Sequence, residues 1–225
     1  MDENTLLISE IFHSIQGESS LSGKPFHFIR LTGCNLRCSY CDTAYAFHGG
    51  KQTTIEDIIK KLSSHPTKNV LITGGEPLIQ KNTPKLAQIL QEKGYHVSIE
   101  THGEASIEKV VPFAKIIMDI KTPGSNVHNR KNTGRFGFEN NLPLLKKTDE
   151  VKFVITNQED YHWAKQQVLN LNIPTQEILF SPVLSDSRSY EFSKWLAEQI
   201  LKDSLQVRFQ LQLHKIIWGF EKTGV

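Results

Sequence analysis

All three cysteines of the chain fall in one octapeptide, Cys34-Asn35-Leu36-Arg37-Cys38-Ser39-Tyr40-Cys41, at spacing C-x3-C-x2-C. A free thiol is usually a small buried hydrophobe, and scattered cysteines would be read that way. Three within eight residues and none elsewhere point to a shared ligand. A disulfide uses two and leaves one over. A structural zinc site closes with four ligands, and the nearest further candidate, His48, stands at an odd spacing seven residues past Cys41. Iron–sulfur clusters are normally held by four thiolates. Three thiolates on a four-iron cluster would leave one iron open to a ligand that is not protein.

Other residues that could do chemistry cluster after short apolar runs. Thr73-Gly74-Gly75-Glu76-Pro77 follows Val70-Leu71-Ile72. Glycine lets backbone approach a neighbour closely, although most Gly-Gly pairs are plain turns. Asp42-Thr43 directly follows the last cysteine; both types cap helices well, and both offer oxygen to a hard cation such as Mg2+. Arg30 lies four residues before Cys34, at the end of a predicted strand. Glu10 to Glu18 contains Ile15-Gln16-Gly17-Glu18 and reads as an N-terminal strand and turn.

The elements that position these residues alternate. Phe26–Leu31 is a predicted strand. Thr53 opens a helix with a capping-box pattern to Glu56, and Ile55, Ile58, Ile59 and Leu62 share its inner face. Val70–Ile72 is a buried strand. Thr83 caps a second helix with Pro84 at its first position, and Gly94 ends it. Val97–Glu100, Ile116–Met118, Val151–Ile155, Ile178–Phe180 and Val207–Leu213 are further strands. Asp160–Leu169 and the segment with Phe192, Trp195, Leu196 and Ile200 are helices. Strands alternating with helices imply a mostly parallel sheet. Ligands bind at the carboxyl ends of such strands. The unusual residues fall there: the cysteines, Gly74-Gly75-Glu76, Glu100-Thr101-His102, Lys121, Ser181-Pro182 and His214. About six parallel strands with helices outside are too few for an eight-fold barrel, so the fold class is α/β, an incomplete TIM-type barrel. Residues 122–141 break the rhythm, with Arg130, Lys131 and Arg135, and read equally as a substrate lid or a solvated loop.

At 225 residues the chain suits one domain, 1–225, with a full core. It is 38% hydrophobic and 22% charged, which fits a globular protein. A net charge of +2 gives no case for nucleic acid as a partner. No apolar run approaches a membrane span, the N-terminus lacks a signal-peptide pattern, and an odd cysteine count suits a reducing cytoplasmic location.

The cysteine spacing, with Tyr40 before the third cysteine, resembles the signature of the radical S-adenosylmethionine (radical SAM) superfamily, and Gly74-Gly75-Glu76-Pro77 matches its second motif. The resemblance implies a 4Fe-4S cluster on Cys34, Cys38 and Cys41. It also implies S-adenosylmethionine (SAM) on the open iron, its reductive cleavage to a 5′-deoxyadenosyl radical, and an electron donor such as a flavodoxin or ferredoxin. Ile15-Gln16-Gly17-Glu18, Cys34 to Thr43, Thr73 to Pro77 and Gln212-Leu213-His214-Lys215 are similar, nearly end to end, to a compact branch of that superfamily. That branch is a carbon–nitrogen lyase group which contracts 6-carboxy-5,6,7,8-tetrahydropterin to a carboxylated deazaguanine of the queuosine route, with loss of ammonia. Carried over, Gly75, Glu76, Glu100, Asp119, Ile120 and Lys121 would bind SAM. Ile15, Gln16, Gly17, Glu18, Arg30, Thr73, Ser181, Pro182 and His214 would line the pterin site, and Thr43 would hold Mg2+. A homodimer stays open. Ser19, His102 and Asp119 depart from the branch's usual residues. Two rival readings are a radical SAM activating enzyme for a glycyl-radical protein and a non-catalytic iron–sulfur or zinc protein.

Overall fold

In the computed structural model, residues 4–127 and 137–225 are described. Nine strands form one sheet in the order β3-β1-β2-β4-β5-β6-β7-β8-β9. They are β1 (Thr5–Ile15), β2 (Pro25–Leu31), β3 (Lys51–Thr54), β4 (Asn69–Gly74), β5 (His96–Thr101), β6 (Lys115–Asp119), β7 (Glu150–Ile155), β8 (Glu177–Pro182) and β9 (Arg208–Phe209). From β2 onward every neighbouring pair is parallel, while β1 runs antiparallel to both β2 and β3. The six expected parallel strands are therefore present, and the two-residue β9 adds a short seventh. The sheet does not close, and the fold is an incomplete α/β barrel.

Side chains alternate across a strand, and here the alternation separates two cores. Ile29 and Leu31 of β2, Val70 and Ile72 of β4, Val97 and Ile99 of β5, and Ile116 and Met118 of β6 pack outward in the larger core. The same core holds Val151, Phe153 and Ile155 of β7 and the inner faces of α1 (Ile55–Leu62), α2 (Thr83–Glu92) and α4 (Ser189–Lys202). α3 (Gln158–Asn170) adds Tyr161 and Ala164. The opposite parity faces inward. There Phe26, Phe28, Leu71 and Ile117 form a small apolar cluster with Phe12 and Leu21. Further along the same parity come Arg30, Thr73, Glu100, Asp119 and Lys152, all on the wall of one cavity. No helix among the described residues is long and apolar enough to cross a membrane.

Three local expectations are corrected. The cap of α1 is Thr54, not Thr53: Thr54 Oγ1 accepts from the Asp57 amide at 3.1 Å and donates to the Asp57 carboxylate at 2.7 Å. Thr53 belongs instead to β3, which hydrogen bonding to β1 extends into the cap. Asn82, not Thr83, is the N-cap position of α2; Thr83 is buried and donates to the Pro77 carbonyl at 2.6 Å. The last strand stops at Phe209, and Leu213–Trp218 is a helix, α5. Its alternating pattern fails as a strand because β9 has only β8 to pair with, and the chain turns so that the Leu213 amide donates to the Gly17 carbonyl at 2.9 Å. His214 and Lys215 thus sit on a helix rather than at a strand end. Arg130, Lys131 and Arg135 of the expected lid lie outside the described residues; Pro123–Ser125, Phe138–Asn140 and Leu142–Leu144 around them are single 3-10 turns.

The cap assignment has a direct check. Thr54→Ala should cost about 1 kcal/mol in denaturant unfolding, while Thr54→Ser should stay near wild type.

Candidate active site

The cysteine loop leaves β2 through Gly33, whose φ of +101° suits only glycine well. Arg37 stitches the loop from within, donating from Nη1 to the carbonyls of Cys34 (2.7 Å) and Leu36 (2.6 Å) and lying 4.2 Å from the Phe47 ring centroid. Ser39 ties it to the segment after β6: its amide donates to the Ser125 carbonyl and its hydroxyl to that of Gly124. The Gly74–Gly75 turn comes against the loop at backbone distance. A Cβ on Gly75 would lie 2.1 Å from the Gly33 carbonyl oxygen and 2.8 Å from Cys34 Cβ. The glycine is required by this approach of two loops.

Glu76 is fully buried and does not line the cavity. Its carboxylate accepts from Thr101 Oγ1, from the amides of Leu78 and His102, each at 2.9 Å, and lies 3.3 Å from His102 Nε2. His102 Nε2 also meets Asn35 Oδ1 of the cysteine loop at 2.9 Å. Glu76 therefore joins the ends of β4 and β5 and, through His102, the cysteine loop.

Cys34, Cys38 and Cys41 are half-buried on the wall of a cavity of about 440 Å³. Burial pushes all three thiols up, Cys38 to about 11, and neighbouring thiols and carboxylates add to the rise. Lys121 opposes it. Three such thiols ionise together only with a cationic ligand. Among the described residues no three His, Cys, Asp or Glu side chains converge on a single-ion site, and His48 does not line the cavity. That donor set suits a multi-iron cluster held by three thiolates better than one zinc ion. The Tyr40 hydroxyl and Asp119 Oδ1 are buried nearby without a hydrogen-bond partner among the described residues, which leaves polar atoms for a bound group.

The same cavity is lined by Ile15, Gln16, Gly17, Glu18, Arg30, Thr43, Thr73, Gly75, Glu100, Asp119, Lys121 and His214. Three other sequence-predicted residues are not on its wall. Ile120 has the outward parity and packs in the large core; Ser181 and Pro182 are buried in β8, and the neighbouring Val183 reaches the cavity instead. Gly17 lies against His214, since an added Cβ would come 2.2 Å from His214 Nδ1.

Charges organise the wall. Arg30 Nε binds Glu10 Oε1 at 2.6 Å, its partner across β1 and β2, and the Tyr45 hydroxyl donates to the same oxygen at 2.7 Å. Arg30 Nη1 reaches Thr43 Oγ1 at 3.5 Å, and Thr43 donates to Asp42 Oδ1 at 2.9 Å. Burial alone would raise the Asp42 carboxyl, but Lys215, 3.2 Å away, and the Thr43 hydrogen bond bring it below the usual range. Burial likewise opposes ionisation of Lys121, and Asp119 at 2.7 Å overrides it and raises the ammonium. Lys152 and Tyr45 were not singled out from sequence, and Glu10 and Gln212 entered only as members of longer motifs. Lys152 carried a readable signal, a lysine between Val151 and Phe153 in an otherwise apolar strand; the others depend on pairing that only the fold creates.

A parallel α/β sheet with a three-thiol loop at its carboxyl end defines a class of enzyme. The family model described as the Radical SAM superfamily matches residues 28–157, and the chain belongs to that superfamily. Within it, the 7-carboxy-7-deazaguanine synthase of Chlorobaculum tepidum is 40% identical over 99% of both chains. That of Koribacter versatilis is 39% identical over 97% of this chain and 99% of its own. The chain is a member of the 7-carboxy-7-deazaguanine synthase family. The crystal structure of QueE from Escherichia coli shares the fold, with a TM-score of 0.73 over 93% of this chain and 95% of that one at 22% identity.

Gly75→Ala tests the loop contact. It should lower the iron and sulfide retained after anaerobic reconstitution, because the Cβ must displace Gly33 or Cys34. Wild-type cluster content in that variant would show that the approach is not needed.

Proposed function

We propose that this chain is the radical SAM lyase that converts 6-carboxy-5,6,7,8-tetrahydropterin to 7-carboxy-7-deazaguanine with release of ammonia. The observation that carries the reading is one cavity lined both by the three-cysteine loop and by a guanidinium beside a stacked pair of aromatic rings. Phe12 and Phe28 stack with centroids 4.8 Å apart and planes 3° from parallel, and both line the cavity. They offer a planar heterocycle an apolar face and help to exclude water. Arg30, braced by Glu10 and by the rings of Phe12 and Tyr45, is the partner for the substrate carboxylate, since guanidinium and carboxylate match in geometry.

Cys34, Cys38 and Cys41 would hold the 4Fe-4S cluster. Gly75, Glu100, Asp119 and Lys121 stand where SAM would lie, and Glu76 acts by holding the Gly75 turn rather than by contact. When bound, the cluster and SAM supply the one-electron chemistry that starts the rearrangement. The protein's share is to fix the pterin with Ile15, Gln16, Gly17, Glu18, Thr73 and His214 and to shield it from water. Thr43, with Asp42 beside it, would place Mg2+, which takes few protein ligands and completes its shell with water and substrate. The reading further includes a flavodoxin- or ferredoxin-type reductant, a cytoplasmic location, a single core domain and no nucleic-acid partner; a homodimer is compatible with it.

The reaction is tested anaerobically. Reduced, reconstituted protein with SAM, 6-carboxytetrahydropterin and Mg2+ should yield 7-carboxy-7-deazaguanine by mass spectrometry, and none when either substrate is omitted. Formation of 5′-deoxyadenosine alone would overturn the pterin assignment. Cys38→Ala should lose the cluster, because three ligands leave no spare; full iron and sulfide in that variant would contradict it. Thr43→Ala should lower turnover mainly at limiting Mg2+, with recovery as Mg2+ is raised. An unchanged metal response would remove Thr43 from the metal site.

A further inference from the structure

Lys152 occupies an inward position of β7 between the buried Val151 and Phe153, and its side chain is only 4% exposed. An ammonium at that depth is tolerated only with counter-charges. Three carboxylates from three different elements supply them. Glu18 Oε2 of the β1–β2 loop lies at 2.8 Å, Glu100 Oε1 of β5 is in direct contact, and Asp119 Oδ2 of β6 lies at 3.7 Å. Glu100 also accepts from Thr73 Oγ1 at 3.4 Å, and Asp119 is shared with Lys121, so two of the three are fixed from other directions. Glu18 is different. It stands on a loop and its side chain, 19% exposed, faces the cavity. Its Oε1 accepts from Gln212 Nε2 at 3.0 Å, and the next residue, Ser19, is locked at φ +66° by two hydrogen bonds with Gln210.

Lys121, Tyr40 of the cysteine loop, Asp42 just after it and His214 of α5 are other titratable groups in this neighbourhood. Burial would raise Glu18, but Lys152 first, then His214 and Gln212, bring it well below the usual carboxylate range; Lys152 itself is raised far above a normal lysine by Glu100, Glu18 and Asp119. It is a fixed cation.

We propose that Lys152 is a positioning residue: anchored by Glu100 and Asp119, it holds Glu18 charged and aimed into the cavity, where that carboxylate accepts N–H donors from the aminopyrimidinone edge of the pterin. Each carboxylate oxygen accepts more than one hydrogen bond, so the bonds to Lys152 and Gln212 leave capacity for substrate. The inference rests on the pterin reading above and names the residue that makes Glu18 usable.

The test uses the full chain, reconstituted with its cluster, and compares wild type with Lys152→Met, Lys152→Arg and Glu18→Gln. In Lys152→Met the KM for 6-carboxytetrahydropterin should rise about tenfold or more with a smaller change in kcat. Without the cation the Glu18 carboxyl takes up its proton at higher pH, so the acid limb of kcat/KM should move upward. Lys152→Arg should return that limb towards the wild-type position. Glu18→Gln should raise the pterin KM similarly, and the double variant should be no worse than the poorer single one, because both changes remove one interaction. A wild-type pterin KM and acid limb in Lys152→Met would overturn the proposal. So would equal losses in Met and Arg variants with no movement of the limb, which would mark Lys152 as structural only. If Lys152→Met does not fold, Glu18→Gln decides: an unchanged pterin KM there is equally fatal. Absence of product from wild-type protein would overturn the pterin reading itself, and this inference with it.

Discussion

The mouth of this barrel depends on two loops meeting at backbone distance. Gly75 touches Gly33 and Cys34, and nothing larger than hydrogen fits between them. The contact is held by Glu76, a carboxylate with no exposed surface that collects donors from Leu78, Thr101 and His102. A buried carboxylate is costly unless its oxygens are satisfied, and here three donors satisfy them. The arrangement couples three strand ends: the cysteines follow β2, the glycines follow β4, and Thr101-His102 closes β5. The spacing of the thiols relative to the rest of the cavity is thus set by hydrogen bonds outside the cavity. It also gives His102 a structural task through Asn35.

Below the mouth the governing rule is parity. In β2, β4 and β6 alternate residues face the helices and the lumen, and the lumen residues become more polar towards the carboxyl end. Phe28 precedes Arg30, Leu71 precedes Thr73, and Ile117 precedes Asp119. An apolar floor under a charged upper wall follows from that order. Because the sheet is open, the first and last elements must be fastened otherwise. Residues 16–20 and 210–214 do this: Gln210 pairs with Ser19, Gln212 with Glu18, and Leu213 with Gly17. Ser20 and Lys115 meet the buried Glu150 beneath. The seam explains why Ile15-Gln16-Gly17-Glu18 and Gln212-Leu213-His214-Lys215, about two hundred residues apart in the chain, occur together.

Much of this was legible in the sequence. Period and turn residues located β2 and the parallel strands through β8, and the placement of odd residues after strands located the active face. The failures share a cause. Thr53 and Thr83 look like caps, but pairing of β3 with β1 and burial of Thr83 shift each cap by one residue. Val207–Leu213 alternates like a strand but lacks a second neighbour. Ile120 was included with Asp119 and Lys121 as one segment, although consecutive strand residues cannot all face one side. The pairs that tune the wall, Glu10 with Arg30 and Lys152 with Glu18, are long-range and carry no local pattern. Lys152 could have been found, since a lone lysine within a buried apolar strand demands a partner.

The central claim is that three thiolates hold a cluster whose remaining iron is open to SAM in this cavity. Electron paramagnetic resonance of the reduced, reconstituted protein, recorded with and without SAM, tests it most directly. A reduced 4Fe-4S signal whose g-values change on adding SAM, and which is absent in Cys38→Ala, is the predicted result. A signal identical with and without SAM would contradict an open iron at Cys34, Cys38 and Cys41.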